Sequence, residues 1–105
     1  MIRYAYTIRL EPGGLDEYVA KHGEIWPEMV AELKACGIQV LTAFHHEGTL
    51  YYYTEAADPD SWQRLWQGEV QARWANEFTS LIAFREDGTL DTNELTEVWR
   101  LETGA

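Results

Sequence analysis

The sequence predicts a single α+β domain with the element order β-α-β-β-α-β. Three observations predict it. Apolar residues alternate strictly through Ile2 to Leu10, which is the period of a strand. Two long stretches, 15–36 and 58–81, carry apolar residues at helical spacing. Between them, two short runs flank Glu47-Gly48-Thr49, a hairpin signal. A chain of 105 residues holds one such core and no second domain, so residues 1–105 are read as one unit.

The elements follow in order. Residues 2–11 form the first strand, with Ile2, Tyr4, Tyr6, Ile8 and Leu10 on one face, and Pro12-Gly13-Gly14 ends it. Leu15, Tyr18, Val19, His22, Ile25 or Trp26, Met29, Val30, Leu33 and Cys36 then mark one face of a helical stretch. Pro27 biases Trp26 away from helical backbone, which predicts a break between Gly23 and Trp26. Gly37 supplies a left-handed stop. Residues 38–46 and 50–55 read as hairpin strands. The second helical stretch begins at Asp58-Pro59-Asp60-Ser61, with Asp58 as N-cap and proline in the first turn. Trp62, Trp66, Val70, Trp74 and Phe78 form its apolar stripe, and Gly68 can divide it in two. After a polar loop around Asp87-Gly88, residues 94–101 read as a fourth strand.

This order is the ferredoxin-like, split βαβ arrangement. Both helical layers lie on one side of its sheet, so the opposite face needs cover. Pairing two sheets across a two-fold axis supplies that cover, and a homodimer is the expected state.

Charge and composition narrow the chemistry. Eighteen acidic residues against eight basic ones give a net charge of −10. Too few cations remain to replace phosphate counterions, which argues against nucleic acid and anionic membranes as partners. Five tryptophans and six tyrosines exceed what so small a core needs for packing, and aromatic faces stack on sugar rings. Cys36 stands alone, so no intrachain disulfide forms, and no neighbour in sequence activates it as a nucleophile. The opening strand has no signal-peptide pattern, and no apolar run reaches the ~18 residues of a membrane span; cytoplasm is the expected location. Glycine fingerprints for nucleotides are absent, as is a nucleophile elbow. His22, His45 and His46 lack metal-ligand spacing, and no metal or cofactor is expected.

What remains is proton transfer. Tyr18 and His22 are four residues apart and share a helix face. A histidine on an apolar stripe is ordinarily structural. Its position near the end of a helical segment, however, favours imidazolium and makes it a candidate proton donor beside a phenol. Glu24, Glu28 or a bound water are the candidates for a partner base. The indole stripe is mostly core on this reading, and nothing in its periodicity singles out Trp74.

Nearly the whole chain, residues 1–101, resembles the L-rhamnose mutarotases. The resemblance rests on Met1-Ile2-Arg3 with Ala5, Glu17-Tyr18 with His22, Ile25-Trp26-Pro27-Glu28, Leu33-Lys34 and Gly37. It continues through Trp62, Arg73-Trp74 and Glu94-Leu95 with Glu97-Val98. It implies a dimeric α/β barrel that interconverts the α and β anomers of a deoxy sugar, such as L-rhamnose or L-fucose, without a cofactor. His22 is then the proton donor, while Tyr18 and Trp74 bind the sugar. Trp26, Leu41, Trp62 and Ala75 are further pocket positions. Two of these depart from the family pattern: Leu41 stands where a tyrosine is usual, and Ala75 where a second tryptophan is usual. The same dimeric fold also carries cofactor-independent monooxygenases, and a non-catalytic small-molecule binder is a further alternative.

Overall fold

A computed structural model describes residues 2–104. Its elements are β1 (Ile2–Arg9), α1 (Leu15–Gly23), α2 (Pro27–Ala35), β2 (Ile38–His46), β3 (Thr49–Ala56), α3 (Ser61–Trp66), α4 (Glu69–Asn76) and β4 (Thr92–Leu95). The strands form one antiparallel sheet in the order β2-β3-β1-β4. Each predicted helical stretch is a pair of short helices, so the ferredoxin-like order holds with both arms broken. This is the fold class expected.

The breaks have local causes. Trp26 takes an extended backbone, φ −62° and ψ 137°, and Pro27 opens α2. Proline lacks the N–H that a first-turn residue leaves unused, so it starts a helix as readily as it ends one. Gly37 has φ +89°, and a Cβ there would lie 2.9 Å from Ser61 Oγ and 3.0 Å from Ala57 Cβ. Only glycine fits both the left-handed backbone and that approach. Glu47 and Gly48 both have positive φ, which gives the β2–β3 hairpin the twist its strands require.

Three expectations are corrected. Helix α3 begins at Ser61 with Asp60 before it, so Asp58 is not its N-cap. The Asp58 carboxylate instead accepts from the Asp60 N–H at 2.9 Å and from Arg64 Nη2 at 2.9 Å. The predicted indole stripe is also interrupted. α3 ends at Trp66 and α4 restarts after Gly68, so Trp66 turns outward, 55% exposed. Buried Gln71, Trp74 and Phe78 continue the inner face. Finally, β4 stops at Leu95 rather than Leu101. Residues 96–104 have no strand partner among the described residues, and Val98, Trp99 and Leu101 are left exposed.

The core lies between the helices and one sheet face. Leu50, Tyr52, Thr54 and Ala56 of β3 point into it, against Tyr18, Met29, Leu65, Trp74 and Phe78. Residues of opposite parity carry the other face, where Tyr51 pairs with Phe44 and Tyr53 with Thr42. Phe44 and Tyr51 are exposed there. Tyr4 and Tyr6 lie on the helix side of the sheet, Tyr4 bonded to Pro59 and Tyr6 stacked on Tyr52, so the free face carries no tryptophan and fewer tyrosines. Among the described residues, no helix is long and apolar enough to cross a membrane.

Candidate active site

His22 is the chemical centre of an aromatic cluster. Its imidazole stacks on the ring of Tyr18, centroids 4.5 Å apart, and contacts Phe78 at 4.8 Å and Trp74 edge-on at 5.6 Å. The helical register brings Tyr18 and His22 together as the spacing predicts. Trp74 and Phe78 arrive from α4 and the turn beyond it, across the core.

His22 Nδ1 lies 2.9 Å from the backbone oxygen of Tyr18. A carbonyl oxygen only accepts, so Nδ1 carries a proton and donates it. That contact sets the tautomer. Nε2 is left with its lone pair when the ring is neutral and is the nitrogen free for proton exchange. Burial lowers the His22 pKa below its usual 6.5, and the bond to Tyr18 only partly offsets this. The expected bias towards imidazolium is thus overturned: desolvation outweighs the helix terminus, and the resting ring is neutral at pH 7.

Two further tyrosines join the site. Tyr52 Oη hydrogen-bonds Tyr18 Oη, and the Tyr52 ring lies flat on that of Tyr6, centroids 5.1 Å apart and planes within 6°. Burial pushes all three phenols up in pKa. They therefore stay protonated, as donors and not as bases. In the Tyr18–Tyr52 pair one O–H is spent on the other oxygen, and the second O–H remains available to a ligand. Sequence reading passed over Tyr6 and Tyr52. The available signal was their parity on adjacent strands, where they face each other in register.

A cavity of about 110 Å³ adjoins these groups, and Tyr18, His22, Leu41, Trp62, Trp74 and Ala75 all line it. Six of the seven candidate positions thus meet in one place. The seventh, Trp26, stands behind the wall. Its ring meets Trp74 edge-on at 5.0 Å and lies 5.5 Å beneath the Arg73 guanidinium, which pairs with Glu28 at 3.0 Å. Glu28 is thereby engaged at the surface, and neither it nor Glu24 lines the cavity. Ala75, Tyr6 and Trp62 also border an adjoining open cavity of about 530 Å³ between α4 and the β4 side of the sheet. His45 accepts a hydrogen bond from the Gly48 N–H and belongs to the hairpin turn.

A family model described as L-rhamnose mutarotase matches residues 3–101. The chain belongs to the L-rhamnose mutarotase family. The L-rhamnose mutarotase of Bacillus subtilis is 34% identical over 104 residues, covering 97% of this chain and all of that one. That of Oceanobacillus iheyensis is 31% identical with the same coverage. A crystal structure of an L-rhamnose mutarotase from Formosa agariphila superposes with a TM-score of 0.82 at 23% identity, covering 97% of this chain. An antibiotic biosynthesis monooxygenase shares the fold at a TM-score of 0.61 and 16% identity. Within this mutarotase-family chain, Leu41 and Ala75, where the resemblance leads one to expect a tyrosine and a second tryptophan, both line the His22 cavity. Leu41 lies on edge strand β2 opposite Thr54, at the partly open mouth.

Proposed function

We propose that this chain is a cofactor-independent mutarotase that interconverts the α and β anomers of a deoxy sugar of the L-rhamnose type. The observation that carries the reading is the imidazole of His22, tethered through Nδ1 and facing an aromatic cavity with Nε2 free.

The reaction needs little more than this group. Neutral Nε2 takes the proton from the anomeric hydroxyl as the C1–O5 bond opens. The bond's electron pair goes to the ring oxygen, and the imidazolium returns the proton to that oxygen. Both oxygens are bonded to C1, so one nitrogen reaches each in turn. The aldehyde rotates about C1–C2 and closes from its other face by the reverse steps. One histidine thus serves as base and acid, which removes the need for a carboxylate partner. Tyr18 and Tyr52 supply a neutral O–H that orients the sugar, and the Trp74 edge closes the apolar side.

The free sheet face and the exposed Val98, Trp99 and Leu101 support a homodimer, because they place apolar surface where a second copy can bury it. Magnetisation-transfer NMR on L-rhamnose and L-fucose tests the activity. Accelerated exchange between α and β signals supports it. Exchange no faster than in buffer, for every deoxy sugar tried, refutes it.

A further inference from the structure

Gln71 is the third residue of α4, three positions before Trp74 on the same inward face. It is 7% exposed and lines the same cavity as Tyr18, His22 and Trp74. Two charged side chains near it in sequence have partners: Arg64 donates to Asp58, and Arg73 donates to Glu28. The Gln71 carboxamide has none among the described residues. It is not sealed into the packing either, because Thr54 Oγ1 is the one fully enclosed side-chain polar atom without a partner among the described residues.

At 7% exposure the carboxamide keeps only its cavity outlet to water, a net cost that leucine or methionine at this position would not carry. On α2 and α3 the cavity lining near it is apolar, with Met29, Leu33 and Leu65. The missing partner is therefore expected to arrive with the ligand. A carboxamide offers an N–H donor and a C=O acceptor side by side, which matches two neighbouring hydroxyls, one accepting and the other donating.

We propose that Gln71 reads a hydroxyl, or a vicinal pair, of the bound sugar and so determines which deoxy sugar the cavity accepts. The proposal rests on the mutarotase reading of this cavity and adds to it the residue that sets specificity. Gln71 moves no proton, so its effect falls on affinity and preference more than on turnover.

The test compares wild type with Gln71→Met and Gln71→Leu, using L-rhamnose and its C2 and C4 epimers, 6-deoxy-L-glucose and 6-deoxy-L-talose. Binding is followed by intrinsic tryptophan fluorescence, anomer exchange by NMR, and folding by thermal melting. Affinity for the preferred sugar should fall about tenfold or more in both variants. The preference between at least one epimer pair should flatten, and the melting temperature should hold or rise. Unchanged affinity and preference overturn the proposal. A lowered melting temperature with unchanged affinity makes Gln71 a packing residue and overturns it as well. Wild-type binding without exchange removes the mutarotase reading yet leaves the Gln71 comparison intact, read on fluorescence alone. No binding of any of the three sugars overturns both.

Discussion

The backbone oxygen of Tyr18 holds the imidazole of His22 by its Nδ1–H, at 2.9 Å, one helical turn away. The tyrosine therefore acts twice on the same site. Its carbonyl fixes the tautomer, and its hydroxyl joins Tyr52 in facing the cavity.

Replacing His22 by alanine should remove most of the catalysed anomer exchange, on the order of a hundred- to ten-thousand-fold. The fold should persist, since the ring is only half-buried. NMR exchange rates on the best sugar check this, and a variant retaining near-wild-type exchange would return His22 to a structural role.

The pH dependence follows from the direction of the His22 shift. Nε2 acts as a base only when the ring is neutral, and burial holds its pKa below 6.5. Exchange should be flat at pH 7 and above and should decline only as pH falls through that lowered pKa. Stability runs the same way. The unfolded chain takes up its proton first, from about pH 6.5 downward, so the His22 contribution is full above that pH. It is lost as pH falls through the folded-state pKa. Denaturation midpoints measured between pH 5 and 8 test the sign.

Tyr18→Phe and Tyr52→Phe each break the same Oη–Oη pair. Each should cost about 1 kcal/mol of stability, and the double variant should cost less than the sum of the two. Additive losses in a double-mutant cycle would show that the hydroxyls act independently.

Thr54 is fully buried, and its hydroxyl has no partner among the described residues. Thr54→Val keeps the shape and removes the unpaired group, so a gain of up to about 1 kcal/mol is expected. Thermal melting would register this as a rise of several degrees for a domain of this size.

Removal of residues 96–104 should weaken self-association, because Val98, Trp99 and Leu101 are exposed among the described residues. Sedimentation at micromolar concentration should show a dimer for the full chain and a shift towards monomer for the truncated one. A monomeric full chain would overturn the dimer altogether.

The relationship between Tyr18 and His22 was determined by sequence alone, because neighbours four apart on a helix meet whatever else the chain does. The kink at Trp26, the stop at Gly37 and the hairpin at Glu47-Gly48 were equally legible. Each depends on a proline, a glycine or a turn within a few residues. Other features were decided only by tertiary structure. The stripe sets Trp66 and Val70 inward; Val70 packs against the core, but the break at Gly68 leaves Trp66 outside and places Gln71 beside Trp74. Tyr52 joined the site because strand register set it opposite Tyr6 and under Tyr18. The protonation state of His22 also reversed, since a helix end is a local charge while desolvation is imposed by everything packed around the ring. Periodicity describes one element at a time. Burial, register and pairing are properties of elements meeting, and the chemistry of this cavity lies in those meetings.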